Sequence, residues 1–135
     1  MGQSFLMNVL EAIAAWFLGG AAYVLLELLW RGRSHVSMFF AGGTAFLLLH
    51  GLFQGPLAAA PLALACLAGA LVITSVEFVA GVIVNLRLKL AVWDYSHMPM
   101  QLYGQICLPF SLLWGLLTIP IVQVSQWLGS LDFLI

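Results

Sequence analysis

Four long apolar stretches, at about residues 6–30, 36–53, 62–85 and 102–128, make up most of the chain. A helix rises about 1.5 Å per residue and the hydrocarbon core of a bilayer is about 30 Å thick, so roughly 20 apolar residues suffice to cross it. Each stretch is close to that length. The sequence therefore predicts an all-α integral membrane bundle of four transmembrane helices, forming a single transmembrane domain over residues 1–135.

The scarcity of charge excludes most soluble functions. Hydrophobic residues make up 64% of the chain and charged residues only 7%, whereas a soluble domain usually carries about a quarter charged residues. Four Lys and Arg residues cannot form a face that binds nucleic acid. No P-loop occurs, so the chain cannot hydrolyse ATP by itself. No GxSxG motif of a serine nucleophile occurs either. Cys66 and Cys107 lie in apolar stretches, and we expect neither a disulfide, a metal site nor a cofactor.

The basic residues predict the orientation. Arg31 and Arg33 lie between the first two spans, and Arg87 and Lys89 lie between the last two. With four spans these two connections are on the same side of the membrane, and basic loops stay in the cytoplasm. We therefore predict a multi-pass protein of the cell membrane, with both basic loops cytoplasmic and both termini outside, Asp132 included.

Glu77 is the clearest polar residue within a span. An ionisable group in mid-span costs at least about 2.5–3.5 kcal/mol, so it is a functional candidate by default. Small and polar residues share its helical face: Cys66, Ala70, Thr74, Gly81 and Asn85. Small residues let another helix approach closely, so this face should meet a similar stripe on the fourth span, formed by Gly104, Cys107, Ser111, Gly115 and Thr118. Glu77 then either lines a polar cavity or only holds helices together.

Two further polar positions near span ends are less specific. Glu27 and Arg31 stand four residues apart in the order that favours a helical ion pair. They are either an ordinary interfacial pair or part of a site. His50, at the outer end of the second span, is expected to be a hydrogen-bonded structural histidine.

Residues 92–99 form the densest cluster of reactive side chains. Asp94 and His97 are three apart, which could orient an imidazole for acid–base chemistry or bind a cation. Two ligands do not make a zinc site, and Trp93 and Tyr95 also suit an aromatic belt at the headgroups. The segment is therefore either an interfacial loop or a catalytic one.

Three motifs resemble those of a known family. They are EFVAGVIVN at residues 77–85, WDYS at residues 93–96 and GQICLPFS at residues 104–111, followed by Trp114. Together they resemble the CmpB-like family of small membrane proteins, which are predicted type IV ABC-transporter permeases. The ELLWRG segment that begins at Glu27 is similar to the amino-terminal half of one bacterial branch. Gln101 departs mildly from the family, where an asparagine-like residue is expected.

The resemblance extends from about Glu27 to Ile119 and implies an all-helical membrane protein, without naming a substrate. It marks eight positions that we expect to bind substrate: Glu27, Glu77, Asn85, Trp93, Asp94, Tyr95, Ser96 and Gln105. Glu77 and Asp94 are also singled out by their polarity and placement alone.

Three functions follow from these observations. The leading one is a small, non-enzymatic permease-like transport component, whose polar cavity faces the cytoplasm and binds a cation or polar solute. Because four helices enclose little space, it would need a homo-oligomer or a partner membrane subunit, and an ABC mechanism would add a separate ATPase. The alternatives are a membrane-embedded enzyme that acts on a lipid headgroup through Asp94 and His97, and a non-catalytic membrane scaffold or sensor.

Overall fold

A computed structural model describes residues 5–131, with side chains from residue 9 onward. The structure is 73% helical. In chain order its elements are helix α1 (Phe5–Arg31), helix α2 (Val36–Phe53), helix α3 (Leu62–Gly81), a π-helical turn (Val82–Arg87), strands β1 (Gln101–Leu102) and β2 (Ile106–Cys107), and helix α4 (Leu108–Ser130). The predicted position of Asp132 outside the membrane falls outside the described residues.

The predicted all-α fold is confirmed. Within residues 5–131, four helices are long and apolar enough to cross a membrane: Val9–Arg31, Val36–Phe53, Leu62–Arg87 and Leu108–Ser130. The last helix begins at Leu108 rather than near residue 102, because β1 and β2 pair as a short antiparallel hairpin before it. Pro109 fits the first turn of α4, where a missing backbone N–H breaks no hydrogen bond.

The chain divides into two compact units. The terminal unit comprises Met1–Ala59 and Pro120–Ile135, and the central unit comprises Ala60–Ile119. Helix α4 contributes its first half to the central unit and its second half to the terminal unit.

Glycine pairs allow α1 and α2 to pack closely in the terminal unit. A Cβ atom placed on Gly19 would lie 2.4 Å from the Cβ of Phe46, and one on Gly42 would lie 2.6 Å from the Cβ of Tyr23. No side chain fits at either position, so the two helix backbones meet directly, as small residues allow in membranes.

A short turn joins these two helices. Gly32 ends α1 in the left-handed conformation, with φ at 74°, and its N–H donates to the Leu28 carbonyl at 3.0 Å. His35 begins α2 as its N-cap, because its Nδ1 accepts a 3.1 Å hydrogen bond from the Ser37 N–H.

The two predicted small-residue stripes face each other in the central unit. Thr74 and Ser111 share a 2.7 Å hydrogen bond between their hydroxyl groups. A Cβ atom on Gly69 would lie 1.8 Å from Oγ1 of Thr118, and one on Gly115 would lie 3.5 Å from the Cys66 carbonyl. The predicted contact between the third and fourth spans is therefore confirmed for Ser111, Gly115 and Thr118, and it positions Glu77. Gly104 and Cys107, predicted on the same helical stripe, lie instead in the turn and strand before α4.

Candidate functional site

The Glu77 carboxylate is the centre of the candidate site. Glu77 lies within a membrane-spanning helix, and only 8% of its surface is exposed, so it is buried within the protein. The Tyr95 hydroxyl donates to its Oε2 at 2.8 Å, and the Trp114 indole N–H donates to its Oε1 at 3.1 Å. The predicted inward orientation of Glu77 is confirmed, since both donors come from other elements of the central unit.

Aromatic rings surround the two donors. The ring of Tyr95 stacks on Phe110, with centroids 4.9 Å apart and an interplanar angle of 8°. Phe110 in turn contacts Trp114, with centroids 6.0 Å apart. This packing fixes the directions in which the phenol and the indole present their polar groups to Glu77.

The connecting segment between α3 and α4, residues 82–107, carries Tyr95 and begins with the π-helical turn. Asn85 lies in this turn and connects two other parts of the chain. Its Nδ2 donates to Oε1 of Gln105 at 2.8 Å, and its Oδ1 accepts from the Val92 N–H at 2.7 Å. Turns of this kind occur often at functional sites, where they shift the side chains of a helix out of their regular register.

Trp93 and Gln105 form the buried support beneath Tyr95. The Trp93 indole N–H donates to the Gln105 carbonyl at 3.0 Å, and both residues are buried. They pack directly on α3, because a Cβ atom on Gly81 would lie 2.5 Å from Oε1 of Gln105. These three residues therefore hold the connecting segment against the helix that carries Glu77.

Asp94 organises the turn around Tyr95. Its Oδ1 accepts a 2.9 Å hydrogen bond from the Ser96 N–H, a local side-chain contact that stabilises the turn. This backbone hydrogen bond, aided by the Ser96 side chain, lowers the pKa of the exposed Asp94 carboxyl, and the charge of His97 adds a smaller effect. On its other side, the Tyr95 N–H donates to the Gly104 carbonyl at 2.7 Å.

The connecting segment also holds unusual backbone conformations. Four residues other than glycine have φ between 51° and 56°, namely Lys89, Ala91, Met100 and Tyr103. Such conformations cost on the order of 1–3 kcal/mol each and persist only where the surroundings enforce them. All four residues lie between Asn85 and Gln105, whose side chains are hydrogen-bonded to each other.

Glu27 belongs to the terminal unit. It is buried, and its Oε2 lies 2.9 Å from Nη1 of Arg31, as predicted for an ion pair four residues apart. Its Oε1 accepts a 3.0 Å hydrogen bond from the Ser34 hydroxyl. These contacts tie the end of α1 to the turn that follows it.

Of the eight expected site residues, seven lie in the central unit: Glu77, Asn85, Trp93, Asp94, Tyr95, Ser96 and Gln105. Sequence reasoning missed Trp114 as a partner of Glu77. A signal for it was present, because Trp114 follows Ser111 by three residues and precedes Thr118 by four, which is the spacing of one helix face. Within residues 5–131, no group of three or more His, Cys, Asp or Glu side chains could hold a metal ion.

A family model described as "Putative ABC-transporter type IV" matches residues 20–131. The chain belongs to this CmpB family. The match includes all eight expected site residues and confirms the resemblance of the sequence motifs. As a CmpB-family member with four helices of spanning length, the chain is a multi-pass membrane protein of the ABC-transporter type. No curated protein and no solved structure matches the chain.

Proposed function

We propose that this protein is the membrane-embedded subunit of an ABC-type transport system, and that Glu77 binds its cargo, a cation or a polar solute. The family supports the transport role. The observation that carries the binding role is the Glu77 carboxylate, buried within a span and oriented by Tyr95 and Trp114. A carboxylate at such a position is costly, and its retention favours a functional role.

The chemistry around Glu77 favours a cation. Tyr95 and Trp114 donate neutral hydrogen bonds, which orient a carboxylate without cancelling its charge. The stacked rings of Tyr95 and Phe110 add aromatic faces, which attract cations through their negative π surfaces. A small monovalent or organic cation therefore matches both features.

The other expected site residues act through Tyr95. Asn85, Trp93 and Gln105 hold the connecting segment on α3. Asp94 stabilises the turn that contains Tyr95. On this proposal they are positioning residues, and Glu77 is the residue that contacts cargo. Glu27 is a second candidate for cargo contact in the terminal unit.

Transport also requires partners. The chain has no P-loop, so a separate ATPase would supply the energy of ATP hydrolysis. We propose that it docks on the basic connections, since Arg33, Arg87 and Lys89 are exposed. Because four helices enclose little space, a homo-oligomer or a partner membrane subunit completes the path in the plasma membrane.

Ligand-induced stabilisation tests the binding role. The purified protein in nanodiscs is heated with sodium, potassium or tetramethylammonium chloride at constant ionic strength. A cation that binds the folded protein raises the unfolding temperature, and the rise grows with the logarithm of the cation concentration above its Kd. We expect at least one of these cations to stabilise the wild type and Glu77→Gln to abolish that effect.

Ser111→Ala is the matched control, because it removes a neutral hydrogen bond to Thr74 from the same helix pair. It should lower the unfolding temperature without changing the cation response. Equal stabilisation of the wild type and Glu77→Gln would contradict a binding role for Glu77. That result would instead favour the scaffold, in which the carboxylate only joins helices.

A further inference from the structure

Three polar residues from three helices, Glu11, His50 and Ser125, meet in the terminal unit. His50 lies on α2 and is 5% exposed. Its Nε2 is paired with Oε2 of Glu11 on α1, and its Nδ1 is 2.7 Å from the Ser125 hydroxyl on α4. The side chain of Glu11 is 15% exposed, so the carboxylate and the imidazole are both largely shielded from the surroundings.

The surrounding donors determine which nitrogen of His50 carries a proton. Nε2 of Gln54 donates to the Ser125 carbonyl at 3.1 Å and more weakly to its hydroxyl oxygen at 3.4 Å. The hydroxyl proton of Ser125 is then directed to Nδ1 of His50, which acts as an acceptor. The neutral imidazole therefore carries its proton on Nε2 and donates it to the Glu11 carboxylate.

The position of Gln54 is itself built into the fold. A Cβ atom on Gly129 would lie 2.3 Å from Oε1 of Gln54, so only glycine leaves space for this amide against α4. Phe46, one turn before His50, stacks on the imidazole at an interplanar angle of 23°. Gln54 therefore supports the Ser125 hydroxyl, and Phe46 supports the imidazole of His50.

We infer that Glu11, His50 and Ser125 form a proton-binding site within the transmembrane region. Uptake of one proton on Nδ1 converts the neutral imidazole to imidazolium, which donates from Nε2 to Glu11 and from Nδ1 to the Ser125 oxygen. The Ser125 hydroxyl proton then turns to a carbonyl of its own helix, as serine in helices commonly does. The charge of the site changes from −1 to zero, and no electron transfer or further reactant is needed.

The composition of the site favours proton exchange over simple packing. A packing contact could be made by neutral amides, whereas a largely buried carboxylate paired with an imidazole can change its charge by taking up a proton. Histidine is the side chain whose charge ordinarily changes between about pH 5 and 8. Among the described residues, Glu11 is the titratable group that faces His50, while α4 presents Ser125 and α2 presents Gln54. The inference is independent of any role of Glu77.

Nuclear magnetic resonance of ¹⁵N-labelled histidine in lipid bilayers tests the site directly. The chain has three histidines, and the background His35→Asn/His97→Gln leaves His50 as the observed one. Asparagine preserves the N-cap of α2, and His97 is exposed. We expect a neutral ring protonated on Nε2 at about pH 8 and a ring protonated on both nitrogens at about pH 5, reversibly.

Two variants at the site add specific signatures. Glu11→Gln should leave the ring neutral over the whole range, because an unpaired imidazolium is disfavoured in an apolar environment. Ser125→Ala should keep the Nε2-protonated ring at high pH, because Glu11 still accepts from Nε2, and should shift the Nδ1 resonance, because that nitrogen loses its hydrogen-bond donor. A single protonation state at every pH in the background protein would overturn the inference, whether or not these variants fold. An unchanged titration in folded Glu11→Gln would also overturn it.

Discussion

The Tyr95 hydroxyl donates a 2.8 Å hydrogen bond to Oε2 of Glu77, which joins the connecting segment after α3 to a carboxylate inside that helix. The donor is held by stacking on Phe110, and the acceptor is held by a second hydrogen bond from Trp114. A change in the conformation of the connecting segment would therefore change the hydrogen bonding of the buried carboxylate. Conversely, a cation bound at Glu77 would alter the restraint on the segment.

Tyr95→Phe should destabilise the protein, because it removes the hydroxyl donor and preserves the ring that stacks on Phe110. A hydrogen bond to a charged group contributes about 1.5–3 kcal/mol, and we expect a loss of unfolding free energy in that range. Chemical unfolding in detergent measures it. Tyr103→Phe is the control, since Tyr103 is 70% exposed. Equal losses for the two variants would contradict a specific role for the Tyr95 hydroxyl.

Gly81→Ala should displace the connecting segment from α3. The added methyl group would lie 2.5 Å from Oε1 of Gln105 and 3.0 Å from Cζ2 of Trp93. Overpacking of this kind usually costs about 1–3 kcal/mol, and the loss should appear as a lower unfolding temperature. It should also increase amide hydrogen exchange in residues 88–107.

Gly51→Ala is the matched control, because a Cβ atom at Gly51, also within a helix, would meet nothing within 4 Å. Alanine favours a helix over glycine by about 1 kcal/mol, so this variant should be neutral or stabilising. If both substitutions lowered the unfolding temperature equally, close packing at Gly81 would not be the cause.

The regular parts of this fold could be predicted from sequence, because they depend on local patterns. Apolar length defines the spans, and helical spacing places Thr74 and Glu77 on one face with Gly81. The paired stripe on α4 follows from the same spacing. These predictions need only the periodicity of one helix and the preference of small residues for close contacts.

The connecting segment could not be predicted in the same way. Left-handed backbone conformations at Lys89 and Met100 contradict local preference, since residues other than glycine rarely adopt them. Both residues lie between Asn85 and Gln105, which bind each other across 20 residues of sequence. The pairing of His50 with Ser125, 75 residues apart, likewise depends on tertiary packing that no local pattern records.

Acid should weaken the turn at Asp94. The pKa of its carboxyl is lowered from the ordinary value of 3.8, mainly by the Ser96 N–H. Because the folded pKa is below the unfolded one, the stabilisation is complete above pH 3.8 and is lost as the pH falls through the lower folded value. Hydrogen exchange of the Ser96 amide should therefore become less protected in this acidic range. In Asp94→Asn the protection should not change with pH over the same range.

Asp94→Ala and His97→Ala compare the structural role of Asp94 with that of its neighbour His97. Asp94→Ala removes the side-chain acceptor of the Ser96 N–H and should lower the unfolding temperature measurably. His97→Ala removes an exposed side chain and should change stability by less than about 0.5 kcal/mol. The cation-dependent stabilisation should survive His97→Ala. Its loss in folded His97→Ala would instead place His97 at the cation site, contrary to the assignment of that site to Glu77.

Cysteine labelling should show that the basic connections face the cytoplasm. Positive residues are retained on that side during insertion, so Arg33→Cys and Lys89→Cys should react with an impermeant maleimide only in inverted vesicles. Ala58→Cys, in the connection between α2 and α3, should react only from outside in intact cells. Cys66→Ala removes a half-buried native thiol, while Cys107 is 2% exposed and burial raises its pKa, so it should react slowly. Labelling of Arg33→Cys or Lys89→Cys in intact cells would contradict the predicted orientation. It would also contradict the proposed docking of an ATPase on these connections.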